Sequence, residues 1–207
     1  MRLILVRHGE SEGNARGVIQ GRVDFGLSEL GSQQAHATAE RLARDPVQRV
    51  IASPLLRAAG TAAIIAARHG LAVEPEPGLM EYDIGEASGL TGAELRERHP
   101  QVMAAYARGE RPRFPGEEGR DVFHARIARV LDSLRLGSET VVVVAHGGVV
   151  SALCASVLGI DGHRPGVFQV ANCSITEVVT GANGNLVIRV HNDICHLAGL
   201  ATTRDRG

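Results

Sequence analysis

Apolar residues in this chain follow two rhythms, and the places where one gives way to the other mark the elements. Residues 2–6 carry an unbroken run, Leu3-Ile4-Leu5-Val6, that stops at Gly9 and predicts a strand buried on both faces of a parallel sheet. From Leu27-Ser28-Glu29-Leu30-Gly31 onward, apolar and small residues recur at helical spacing as far as Leu42, with Ser28 as the N-cap. Arg49-Val50-Ile51-Ala52 is a second short buried strand. Ser53-Pro54 then predicts a helix start, with a capping residue before a proline in the first turn, and the helix runs over 56–68. A short strand near Ala72-Val73 leads through a proline-rich bend to the acidic segment Glu81-Tyr82-Asp83-Ile84-Gly85, expected to be an exposed loop. Residues 91–119 hold one or two helical patterns ending in Arg-Pro-Arg-Phe-Pro-Gly, which cannot continue a helix, and are expected to form an inserted cap. An amphipathic helix over 121–136, a buried strand over 140–145 and a helix over 148–158 follow. Two strand-like runs, 174–179 and 186–190, flank Asn183-Gly184, a strong hairpin signal.

Alternating strands and helices of this kind predict an α/β protein: a three-layer α/β/α sandwich with a mostly parallel central sheet and an antiparallel edge. No internal repeat is visible. No run of Pro, Ser or charge divides the chain, and 207 residues can bury one sizeable core, so a single domain over 1–207 is expected.

Composition narrows the functional classes. With 44% hydrophobic and 22% charged residues, the chain lies near the globular average, which excludes a disordered or low-complexity protein. The formal net charge of -1 supplies no general pull on nucleic acid or an anionic membrane, so any anion must be held by a local cluster and the expected partner is a small molecule. Cys154, Cys173 and Cys195 fit neither a disulfide framework nor a zinc signature. The start lacks the long apolar region of a secretory signal, and no apolar stretch is long enough to span a bilayer. The cytoplasm is the expected compartment.

The chemistry gathers at strand ends. Leu3 to Val6 run into Arg7-His8-Gly9, and Val141 to Ala145 run into His146-Gly147-Gly148. If both strands are parallel, both histidines emerge on one sheet edge, where ligands of such sheets sit, and a helix N-terminus follows His146. Planar guanidinium groups match phosphate oxygens, which makes Arg7 and Arg57 candidates for an anion pocket. Taken one at a time, each of these residues is an ordinary strand-end or helix-end residue; as a set they are specific.

That set resembles the histidine phosphatase (phosphoglycerate mutase-like) superfamily, in its small phosphatase branch: LVRHGES at 5–11 with Asn14, SPLLRAAGTA at 53–62, LMEYDIGEASGL at 79–90, VVVAHGG at 142–148, and a tail over 191–197 like the NDxxHL ending of several small phosphatases. The resemblance implies that His8 is a nucleophile that becomes phosphorylated. It also implies that Arg7, Asn14, Arg57 and His146 hold the phosphoryl oxygens, with Gly21 and Gly147 as further substrate contacts, and that Glu81 protonates the leaving group. The implied activity is hydrolysis of phosphomonoesters of small metabolites without metal or cofactor, and dimers are common among such proteins. The other carboxylates nearby, Glu10, Asp83 and Glu86, read as solvated loop charges. His191, Cys195 and His196 lack the spacing of a zinc set and are expected to pack near the site mouth. Arg108, Arg111 and Arg113 in the cap could meet a carboxylate or second phosphate of the substrate. His36, His69, His99, His124 and His163 read as helix-face or helix-end residues. A cofactor-dependent phosphoglycerate mutase shares RHGES but has a longer chain and a longer segment after the acidic residue, which favours hydrolysis here. A phosphate-binding module without activity is the alternative of another class, and the presence of His8 argues against it.

Overall fold

The computed structural model describes residues 1–160 and 167–200; His163 lies outside them. Its central sheet has six strands: β1 (Arg2–Arg7), β3 (Arg49–Ala52), β4 (Val73–Pro75), β6 (Thr140–Ala145), β7 (Ile175–Thr180) and β8 (Leu186–Asp193), in the order β4-β3-β6-β1-β7-β8. Neighbours from β4 to β1 are parallel, whereas β7 and β8 are antiparallel to their neighbours. The continuous apolar runs make sense in this position. Along β1, Leu3 and Leu5 face one core and Ile4 and Val6 the other; along β6, Val141 and Val143 face the first and Val142 and Val144 the second. A strand covered on both faces needs apolar side chains at every position, and each one buried contributes about 1.5–3 kcal/mol.

The first core is closed by α6 (Arg120–Arg135) and α7 (Gly147–Leu158), the second by α2 (Glu29–Leu42) and α3 (Leu56–His69). The expected three layers with a mixed edge are therefore present. Ser28 caps α2 by accepting from Gly31 N at 3.0 Å, and the β7–β8 turn closes where Gly181 N donates to Asn185 O at 2.7 Å. Two short helices, α4 (Gly92–Arg98) and α5 (Pro100–Ala107), occupy the first part of the 91–119 region, where Leu95 and Phe114 pack with Ala87 and Leu90 in a small cluster.

Two local expectations are corrected, and one feature is new. Ser53 does not cap α3, which starts at Leu56 with no side-chain cap; the Ser53 hydroxyl is turned instead to His146 Nε2 at 2.8 Å. The 81–85 segment is half-buried rather than exposed, because Arg22 and Arg126 donate to the Glu81 carbonyl and Tyr82 packs edge-on to Phe123. A two-stranded ribbon of β2 (Val18–Ile19) and β5 (Leu90–Thr91), together with the single-turn α1 (Glu12–Ala15), stands where the apolar pattern is too short to signal anything. Among the described residues no helix is long and apolar enough to cross a membrane.

Candidate active site

Parallel pairing of β1 with β6, in the register Val6 to Val144 and Arg7 to Ala145, sends the next residue of each strand out at the same edge. His8 N donates to Ala145 O at 2.9 Å, and the rings of His8 and His146 stand 5.1 Å apart at 61°. Their tautomers follow from their partners. His8 Nδ1 lies 2.7 Å from the Gly9 carbonyl, which can only accept, so Nδ1 carries the proton and Nε2 keeps its lone pair. Ser53 Oγ accepts from Leu55 N at 3.4 Å and stands 2.8 Å from His146 Nε2; with the hydroxyl as the donor of that pair, Nδ1 is the N–H of the ring. Burial, then the charges of Arg7 and Arg57, holds the His8 imidazole well below its ordinary value of 6.5, although the Gly9 carbonyl pulls the other way. Burial, then His8, Arg57, Arg7 and Arg126, does the same to His146. Both rings are neutral near pH 7.

Arg7 closes β1 and donates to Val170 O at 2.6 Å; Arg57 sits in the first turn of α3 and donates to Gly21 O at 2.8 Å and Val23 O at 2.9 Å. Burial draws both guanidinium groups below their ordinary value and the Glu81 charge opposes it, but an arginine stays cationic. Arg7 Nε, Arg57 Nε and His146 Nδ1 are buried donors without a partner among the described residues. Asn14 is held by a capping box in which Asn14 N donates to Ser11 Oγ at 3.1 Å and Ser11 N to Asn14 Oδ1 at 3.2 Å, so Nδ2 is the end of its amide not spent on the cap.

Glu81 reaches the same edge from the opposite side. Its Oε2 accepts from Gly148 N, at the N-terminus of α7, at 3.1 Å, and its Oε1 accepts from Tyr82 N at 2.8 Å. A Cβ on Gly148 would lie 2.5 Å from Glu81 Oε1, so a side chain here would push the carboxylate out of this position. These residues surround a recess of about 440 Å³ lined by Arg7, His8, Asn14, Gln20, Gly21, Arg57, Glu81, Gly147 and Gly148, with Val18, Ile19, Tyr82 and Ile84 as an apolar side.

The structure thus brings together every residue singled out at the strand ends, with one qualification: His146 is fully buried and is not among the residues that line the recess. Several others are elsewhere. Glu10 is 5% exposed and accepts from Ser28 Oγ at 2.9 Å, so it is a buried group and not a solvated charge. Asp83 is half-buried and faces Arg22 at 3.6 Å, whereas Glu86 is exposed as expected. Arg108 pairs with Glu110, while Arg111 and Arg113 line a different recess of about 190 Å³. His191 meets Thr176, His196 meets Thr38, Cys195 is exposed, and among the described residues no group of three His, Cys, Asp or Glu could hold a metal. No local pattern points to Ser53, Gln20 or the apolar side, although Ser53 follows β3 at the same edge and the strand-end rule could have included it.

Comparison with known proteins is consistent from end to end. The family described as the histidine phosphatase superfamily (branch 1) matches residues 3–193. Phosphoserine phosphatase 1 of Hydrogenobacter thermophilus is 34% identical over 202 residues, covering 95% of this chain and 94% of that protein. Glucosyl-3-phosphoglycerate phosphatase of Mycolicibacterium vanbaalenii is 35% identical over 168 residues, covering 77% and 75%. The solved structure of the alpha-ribazole phosphatase from Shigella flexneri superposes with a TM-score of 0.85 at 26% identity over 93% of this chain and 96% of that one.

Proposed function

Since the chain belongs to branch 1 of the histidine phosphatase superfamily, we propose that it hydrolyses phosphomonoesters of small metabolites through a phosphohistidine on His8. The enzyme class is a metal-independent phosphomonoesterase. The observation that carries the assignment of roles is His8 itself: a neutral imidazole, its Nδ1 tied to Gly9 O and its Nε2 left with a lone pair, lining a recess together with Arg7 and Arg57. Nε2 attacks phosphorus in line with the ester oxygen; the P–N bond forms as the P–O bond breaks, and Glu81, having taken up the proton of the monoanionic ester, gives it to the departing oxygen. Water then attacks the phosphohistidine, returns a proton to Glu81, and leaves inorganic phosphate and free His8. Arg7, Arg57, Asn14 Nδ2 and His146 Nδ1 are the donors for the three phosphoryl oxygens, a preformed positive environment of the kind that dominates phosphoryl transfer. Gly21 and Gly147 line the approach.

Residues 1–207 are read as one domain in which 91–119 caps the leaving-group side; the bond from Tyr82 Oη to Glu117 ties that segment to the recess wall. Cys154, Cys173 and Cys195 are all free, which supports a reducing compartment such as the cytoplasm.

The test is hydrolysis of an ester panel, including phosphoserine, 3-phosphoglycerate, sugar phosphates and α-ribazole phosphate, by wild type and His8→Ala. Phosphate release lost in His8→Ala, with an acid-labile phosphoryl label on wild type, is expected. Interconversion of 2- and 3-phosphoglycerate without release would make the protein a mutase, and inactivity on every ester would leave it a binding module.

A further inference from the structure

The tail that resembles a family ending contributes no residue to the recess, yet a continuous set of hydrogen bonds ties it to the backbone of the nucleophile. The link is a buried turn over 171–174, closed by Ser174 N donating to Ala171 O at 3.1 Å. Asn172, fully buried, donates from Nδ2 to the His8 carbonyl at 2.9 Å and more loosely to Asn14 Oδ1 at 3.5 Å. Cys173 N donates to Arg7 O at 3.0 Å and to His8 O at 3.3 Å. One turn therefore grips the carbonyl of His8 with two donors and touches Asn14 as well. To do so Cys173 adopts φ 53°, a left-handed conformation that costs a residue of this kind about 1–3 kcal/mol and persists only where the surroundings impose it.

The tail imposes it. Asn192 Oδ1 accepts from Ala171 N at 2.8 Å, and His196 Nε2 stands 3.1 Å from both Cys173 O and Thr38 Oγ1. Thr38 gives its own proton to Gln34 O at 2.8 Å and so accepts from His196; the Cys173 carbonyl also accepts, which makes His196 Nε2 the donor to both. Asn192 reaches the turn because the β7–β8 register shifts between Ile175 and Glu177 and Asn192 itself takes φ 54°, with its N–H donating to Thr176 Oγ1 at 3.1 Å. Bulges of this sort re-aim a side chain beside a site.

We infer that Asn192 and His196 are positioning residues for the phosphoryl-transfer step: through the 171–174 turn they fix the backbone from which His8 is presented. The inference rests on the reading of His8 as nucleophile. It predicts a defect chiefly in turnover, because Arg57 is anchored elsewhere, on Gly21 and Val23, whereas Arg7 donates to Val170 O, in the same peptide unit as the Ala171 N–H that Asn192 accepts from, and so loses part of its hold with the turn.

Asn192→Gly and Asn192→Asp separate this role from simple support of the fold. Glycine keeps the left-handed backbone and removes the acceptor, whereas aspartate tolerates that backbone and restores it. With thermal unfolding used to select conditions where all proteins are folded, Asn192→Gly is expected to lower kcat by about tenfold to a hundredfold, the effect of a sub-ångström to ångström misplacement, with a smaller rise in KM through Arg7. Single-turnover labelling of His8 should slow in parallel, and Asn192→Asp should recover most of the rate. Wild-type kcat in folded Asn192→Gly, a loss that only tracks the unfolded fraction, or no recovery in Asn192→Asp would overturn the inference. A wild type without phosphatase activity, or with activity that survives His8→Ala, would strike the nucleophile assignment instead.

Discussion

At the scale of single residues, the site depends on keeping two imidazoles neutral in an apolar setting. Folding lowers the His8 and His146 values below 6.5, so between those lowered values and 6.5 the unfolded chain binds more protons than the folded one. Stability gained from this term is present above pH 6.5 and is lost as pH falls through the window. Two outcomes are expected: the acid limb of kcat/KM lies below pH 6.5, and the urea midpoint drops as pH is taken down through the same range. An acid limb above pH 6.5 would mean that His8 is not held neutral. Ser53 is the second lever. Ser53→Ala removes the partner of His146 Nε2, and with it the preference for a proton on Nδ1, so kcat should fall about tenfold, the equivalent of one net hydrogen bond, while the fold is retained. Steady-state kinetics on the preferred ester would check it.

Elements place these residues by contacts that leave no room. Helix α2 lies directly on the loop after β1: a Cβ on Gly31 would stand 1.9 Å from Glu10 O, and one on Gly9 would stand 2.4 Å from Gly31 O. Both obstacles are backbone, which no rotamer change relieves. Gly31→Ala must therefore push α2 away from the nucleophile loop, with an expected loss of about 1–3 kcal/mol in urea unfolding and a drop in kcat beyond that of an equally destabilising core change such as Ile65→Val. On the other side of the same loop, Gly9 N donates to Thr61 Oγ1 at 3.0 Å, and Thr61 in turn donates to Arg57 O at 2.8 Å, so α3 holds the nucleophile loop and presents an arginine from the same turn. The β2–β5 ribbon does comparable work for the leaving-group side by holding Val18 and Ile19 at the recess. It was illegible beforehand because two-residue strands carry no periodicity.

Across the whole molecule, a net charge of -1 coexists with a local site built on the half-buried Arg7 and the buried Arg57, and those arginines come from β1 and α3, fifty residues apart. In the proposed scheme side-chain charge from separated elements meets the phosphoryl oxygens, so hydrolysis should persist within about twofold after exhaustive treatment with EDTA; loss of activity restored by a divalent ion would contradict the scheme. The sequence alone determined the sandwich, the two RHG and HGG strand ends and the Arg57 helix, because burial on both faces and helical spacing are written within a few neighbouring positions. The tertiary structure alone decided the rest. Ser53 reads locally as a helix cap, yet it serves His146, 93 positions away. The 81–85 segment reads as a solvated loop, yet arginines from two other elements cover it. Asn192 reads as a polar residue at a strand end, yet a bulge turns it onto the 171–174 turn, whose Asn172 holds a carbonyl 164 positions away. Hydrogen bonds between residues so distant in the chain depend on which strands become neighbours, and that is settled only when the whole sheet assembles.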